Sequence, residues 1–147
     1  MAVLELGTGC GIVGIFLASA IPGCSCLLTD LPEAMDLVHR NMSSSTLASG
    51  SGLACEVLDW SGKLPVITEG TRWDMVVISD CTYNPDTVPS LVETMSALAQ
   101  ASPQAIFLVA MKVRHDSESI FFNLLRSHDF TVLEHQVVSL RKRGHER

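Results

Sequence analysis

No apolar run in this 147-residue sequence is long enough to cross a bilayer. The longest such window near the start, Ile12 to Ile21, is about half a membrane span, is broken by small residues and follows no basic segment, so it reads neither as an anchor nor as a signal peptide. The chain also lacks Cys-x-x-Cys pairs and any cysteine–histidine spacing suited to a metal. Its five cysteines (Cys10, Cys24, Cys26, Cys55, Cys81) form an odd set inside mostly apolar runs, as expected of free thiols in a reducing compartment. Internal repeats, linkers and low-complexity segments are missing too, which leaves one domain, residues 1–147. Cations are scarce: residues 1–140 carry 15 acidic against 6 basic side chains, a balance that repels nucleic-acid phosphates and suits a basic partner. The basic tail RKRGHER reads as a solvated end.

What the sequence does have is alternation. Apolar runs at Met1–Leu6, Cys24–Thr29, Leu53–Leu58, Trp73–Ser79, Ala105–Val113 and Phe130–Val138 predict six strands. Helices are predicted between them over Ile12–Ile21, Glu33 to about Leu47 behind Pro32, Asp86–Ala101 and Ser117–Ser127. Strands separated by helices imply right-handed βαβ units, a mostly parallel sheet covered on both faces, and a ligand site beyond the carboxyl ends of the strands.

Each chemically purposeful residue falls at one of those ends. After the first strand stands Glu5-Leu-Gly-Thr-Gly-Cys-Gly-Ile-Val-Gly14. Gly9-x-Gly11-x-x-Gly14 satisfies the dinucleotide pattern, in which amides at a helix N-terminus receive a pyrophosphate. Glu5-x-Gly7-x-Gly9-x-Gly11 satisfies instead the S-adenosylmethionine pattern, with an acid for the ammonium of the ligand. Asp30, ending the second strand, could accept ribose hydroxyls in either case, or cap the following helix. Asp59-Trp60 pairs an acceptor for an adenine amino group with a flat apolar face. Asp80-x-x-Tyr83 then sets a carboxylate and the only tyrosine on the loop above the site, with Asn84-Pro85 fixing the turn.

The segments VLELGTGCGIVGI, LTDLPEAMDLVHRN, LDW and SDCTYNPDTVPSLVETM resemble the seven-strand class I S-adenosylmethionine-dependent methyltransferases, and within them the lysine-methyltransferase-like branch (methyltransferase-like 21 type) marked by D-x-x-Y. The resemblance covers nearly the whole chain. It implies a Rossmann-like three-layer αβα sandwich and S-adenosyl-L-methionine as cofactor, held by Glu5, Gly7, Thr8, Gly9, Asp30, Asp59, Trp60 and Ser79. Asp80 and Tyr83 would face the acceptor, a lysine of a protein substrate such as a translation factor or chaperone, in the cytoplasm and also the nucleus, with no nucleic-acid or membrane partner. Cys81, between them, has no neighbouring His to activate it and reads as packing. Measured against the family, the chain begins at the first strand without the usual Trp-bearing lead and stops before the closing hairpin, so it is expected to be a fragment short at both ends. Three alternatives stay open: a nicotinamide-dependent oxidoreductase, a methyltransferase for small-molecule amines, and an inactive methyltransferase-like module that binds a partner.

Overall fold

The computed structural model describes residues 1–62, 70–112 and 117–138. Five strands, β1 (Ala2–Leu6), β2 (Ser25–Asp30), β3 (Gly52–Val57), β4 (Met75–Ser79) and β5 (Ile106–Ala110), form one parallel sheet in the order β3-β2-β1-β4-β5. Among the described residues, α1 (Ile12–Ala20), α2 (Pro32–Ser43) and α3 (Val88–Ala101) lie between β1 and β2, β2 and β3, and β4 and β5, and α4 (Ser117–Ser127) follows β5. The order reverses between β1 and β4, so the switch point lies beside β1.

The period of two along β1 divides the core. Leu4 and Leu6, with Val76 and Ile78 of β4, pack under Leu91, Met95 and Leu98 of α3 and Phe121 of α4. Val3 faces the opposite layer, where Val77, Cys26 and Ala18 of α1 gather. Alternation puts Glu5 on that second face at the carboxyl end of the strand, where it is 1% exposed. An apolar residue would serve a core there. A carboxylate signals a use.

Several boundaries depart from expectation. The sixth strand, Phe130–Val138, does not form: residues 131–138 are irregular, and Val132 (57%), Leu133 (85%), Val137 (83%) and Val138 (76%) lie exposed. Its apolar residues come as neighbours, Val132-Leu133 and Val137-Val138, around the polar Glu134-His-Gln136, so no single face is apolar. Phe130 is anchored, its N–H donating to the Leu125 carbonyl and its ring edge-on to Phe107 with centroids 5.2 Å apart. Helix α2 stops at Ser43 rather than Leu47. There the hydroxyls of Ser43, Ser44 and Ser45 donate to the carbonyls of His39, Arg40 and Met42, satisfying the helix end. β5 ends at Ala110, and Val113 lies outside the described residues, as do most of the Ser61–Arg72 loop and the basic tail.

Candidate active site

A cavity of about 640 Å³ opens across the carboxyl ends of β1, β2, β3 and β4. All ten residues singled out from the sequence line it: Glu5, Gly7, Thr8, Gly9, Asp30, Asp59, Trp60, Ser79, Asp80 and Tyr83. Five carboxylates are present once Asp86 is added, and no Lys, Arg or His among the described residues lines the space.

In the glycine loop the hydrogen bonds decide which pattern applies. Glu5 Oε2 accepts from the hydroxyl of Thr8 (2.7 Å) and from the N–H of Gly14 (2.9 Å). The N–H of Gly9 donates to Asp30 Oδ2 at 2.7 Å, and that of Gly11 to the Thr8 carbonyl at 2.9 Å. The amides of all three glycines of the dinucleotide pattern, Gly9, Gly11 and Gly14, are therefore spent on the protein's own acceptors, and the charges lining the space are negative. Gly14 serves Glu5: a Cβ there would lie 2.7 Å from Glu5 Oε2 and 2.8 Å from Leu28 Cδ2. Burial raises the pKa of Glu5, with the Thr8 and Gly14 bonds lowering it and Asp30 raising it. Asp30 does not cap α2, whose N-cap is Leu31 without a side-chain bond; its Oδ1 accepts from the Leu31 N–H at 2.8 Å.

At the end of β3, Asp59 is exposed and its Oδ1 accepts from both the N–H (2.8 Å) and the hydroxyl (2.7 Å) of Ser61, bonds that hold its carboxyl below the usual range. Ser61 was not legible as a site residue, because nothing in its spacing shows that it would turn back on Asp59. Trp60 is half-buried, and its Nε1 is buried with no hydrogen-bond partner among the described residues. Its ring lies against the loop, 3.2 Å from where a Cβ on Gly7 would stand.

Beyond β4 the chain turns sharply at Asp80, which has φ 57° and donates its N–H to Ala110 at 2.8 Å. Cys81 then drops inward, 7% exposed, with its thiol directed at the carbonyls of Leu6 (3.4 Å) and Ser79 (3.3 Å). A Cβ on Gly7, itself at φ 66°, would lie 2.6 Å from Cys81 Sγ, so the thiol packs the β1 and β4 loops together as a small core residue. Burial pushes its pKa to about 12, the direction of a packed thiol and opposite to that of an activated thiolate. Tyr83 stands 62% exposed on the rim. Asn84 closes the turn, its Oδ1 accepting from Asp86 N–H (3.0 Å) and its carbonyl from Thr87 N–H (3.2 Å).

This geometry has counterparts. The lysine methyltransferase family profile matches residues 1–128. EEF1A lysine methyltransferase 3 of Mus musculus is 33% identical over 128 residues, 86% of this chain and 52% of its own length. Protein N-lysine methyltransferase METTL21A of Danio rerio is 29% identical over 134 residues, 90% of this chain and 58% of its own. The chain thus spans about half the length of these relatives. Among solved structures, N,N-8-amino-8-demethyl-D-riboflavin dimethyltransferase from Streptomyces davawensis shares the fold with a TM-score of 0.63 at 16% identity, covering 91% of this chain and 45% of that one. A parallel sheet with the β3-β2-β1-β4-β5 order, a carboxylate-lined cavity at its switch point and a match over residues 1–128 place the chain in the lysine methyltransferase family.

Proposed function

We propose that the protein is an S-adenosyl-L-methionine-dependent N-methyltransferase acting on a lysine of a protein substrate. The observation that carries this is the charge of the cavity: five carboxylates and no cation among its described lining. Such a site favours a sulfonium and an ammonium and disfavours a dinucleotide pyrophosphate or a nucleic-acid backbone. The family and the relatives support the same reading.

The residues present fit the cofactor. Gly9, at φ 59°, has no atom within 4 Å of where a Cβ would stand, so the backbone there is bare toward the cavity. The acceptor-rich lining points to a ligand offering hydroxyls and amines, and the Trp60 side chain offers a flat face to an aromatic base. Glu5 would receive the amino-acid ammonium above the loop backbone of Gly7 and Gly9, Asp30 the ribose hydroxyls, Asp59 and Trp60 the adenine, and Ser79 would stand beside the sulfonium. When bound, the cofactor supplies an electrophilic methyl group for in-line displacement.

The chain's own task is to present a neutral amine to that methyl. A lysine with a reference pKa of about 10.4 must lose a proton near neutral pH at a cost of roughly 4 to 5 kcal/mol unless the site helps. Asp80 would hold the incoming ammonium, orient it and pass its proton to water, while the Tyr83 ring walls the slot beside it. Neither forms a covalent bond to substrate. The exposed position of Tyr83 and Asp86 on the rim suits an acceptor side chain reaching in from a protein surface. We place the protein in the cytoplasm, with the nucleus as a second compartment; all five cysteines are free thiols, in keeping with a reducing environment.

Labelled S-adenosylmethionine incubated with the protein and a cell lysate should mark a discrete protein band whose peptide map shows a methylated lysine. Label confined to small-molecule amines, or no label together with no calorimetric binding of S-adenosylhomocysteine, would overturn the reading.

A further inference from the structure

We propose that Thr8 is a positioning residue that aims Glu5 at the cofactor rather than a cofactor contact itself. This rests on the reading of the cavity as an S-adenosylmethionine site. Thr8 is 5% exposed, and its polar groups are spent inside the protein. Its N–H donates to the Thr29 carbonyl at 3.0 Å, its carbonyl accepts from Gly11 at 2.9 Å, and its single hydroxyl proton goes to Glu5 Oε2 at 2.7 Å. It therefore has no donor left for a ligand.

The consequence falls on Glu5. Both bonds to its carboxylate, from Thr8 and from the Gly14 N–H, end on Oε2, and Oε1 takes none from the described residues. A carboxylate pinned by one oxygen has its other oxygen fixed in direction, and Glu5 lines the cavity. The strand is tied at the same point: Thr29 Oγ1 donates to the Glu5 carbonyl at 2.6 Å. Preorganisation of this kind costs the ligand nothing on binding.

Other titratable groups around Glu5 are Asp30 and Cys26 of β2 and Cys81 beyond β4, and none of them is a cation. Among the described residues, the Thr8 hydroxyl and the Gly14 N–H are thus the groups that offset the burial of the Glu5 charge. Thr8→Val removes that proton while keeping the shape, whereas Thr8→Ser keeps the proton. Loss of the bond raises the pKa of Glu5 further, so the ionised form needed for an ammonium disappears at a higher pH.

The test has two arms. In the ligand-free protein, the Glu5 carboxyl carbon is titrated by NMR in wild type, Thr8→Val and Thr8→Ser. In calorimetry, S-adenosylhomocysteine binding is measured from pH 5 to pH 8. The expected result is an upward move of the Glu5 midpoint in Thr8→Val alone. Its affinity should fall about tenfold at the acid end, the equivalent of about 1.4 kcal/mol, and stay within about twofold at pH 8. Thr8→Ser should follow wild type in both arms. An unmoved Glu5 midpoint in Thr8→Val overturns the proposal whatever the calorimetry shows, and so does an affinity loss equal at every pH, which would make Thr8 a direct contact. A wild type that binds no S-adenosylhomocysteine at any pH overturns the functional reading, and this proposal with it, even if the Glu5 midpoint moves.

Discussion

At position 80 the backbone passes through the left-handed region, φ 57°, which Asn tolerates better than Ala. The informative substitution is therefore Asp80→Asn, which keeps the turn and removes the charge. It should leave S-adenosylhomocysteine affinity within a few-fold and reduce transfer of the labelled methyl to protein by at least about a hundredfold, in the range of lost general-base help. Equal loss of binding and transfer would merge two roles that we separate. Asp30→Ala should weaken S-adenosylhomocysteine binding by about tenfold to a hundredfold in calorimetry, because a charged acceptor for two hydroxyls and the clamp on Gly9 disappear together. At Gly14 a methyl group would collide with Glu5 Oε2 and Leu28. Gly14→Ala should cost about 1 to 3 kcal/mol of stability, seen as a lowered Tm. Such residues were legible by position, because function sits at strand ends in a parallel sheet. Their internal bonds were not. That Gly14 serves Glu5, or that Ser61 folds back on Asp59, depends on loop geometry that spacing does not encode.

Elements were read best where local pattern and tertiary need agree. β1, β2 and β4 are apolar runs ending at a glycine or an acid and are recovered to within two residues, since a strand buried on both faces must be apolar throughout. The predicted sixth strand failed for a complementary reason: composition can favour extended backbone, but a strand exists only with a partner, and residues 131–138 pair with none among the described residues. At the glycine loop, accessibility separates the thiols. Cys10 is exposed and lines the cavity, whereas Cys81 and Cys26 are buried with pKa values pushed to about 12. Maleimide at neutral pH should label Cys10 first and leave Cys26 and Cys81 untouched in the native protein, as peptide mapping would show. Saturating S-adenosylhomocysteine should slow the Cys10 reaction several-fold, and no protection would mean that the ligand does not lie over this loop.

Across the whole molecule the two layers are unequally complete. α3 and α4 cover the face that carries Phe107 and Val109, while on the opposite face Ile106 (55%) and Leu108 (52%) of β5 stand exposed. β5 is also the end of the sheet, with one side of its backbone unpaired among the described residues. Parallel strands flanked by helices normally bury both faces, so this half of β5 is the part of the architecture that the alternating pattern did not foretell. The outcome is colloidal. A polypeptide with a bare oily strip beside an open hydrogen-bonding ladder should scatter more light as it is concentrated, brighten a dye such as ANS, and become better behaved when Ile106 and Leu108 are exchanged for threonine.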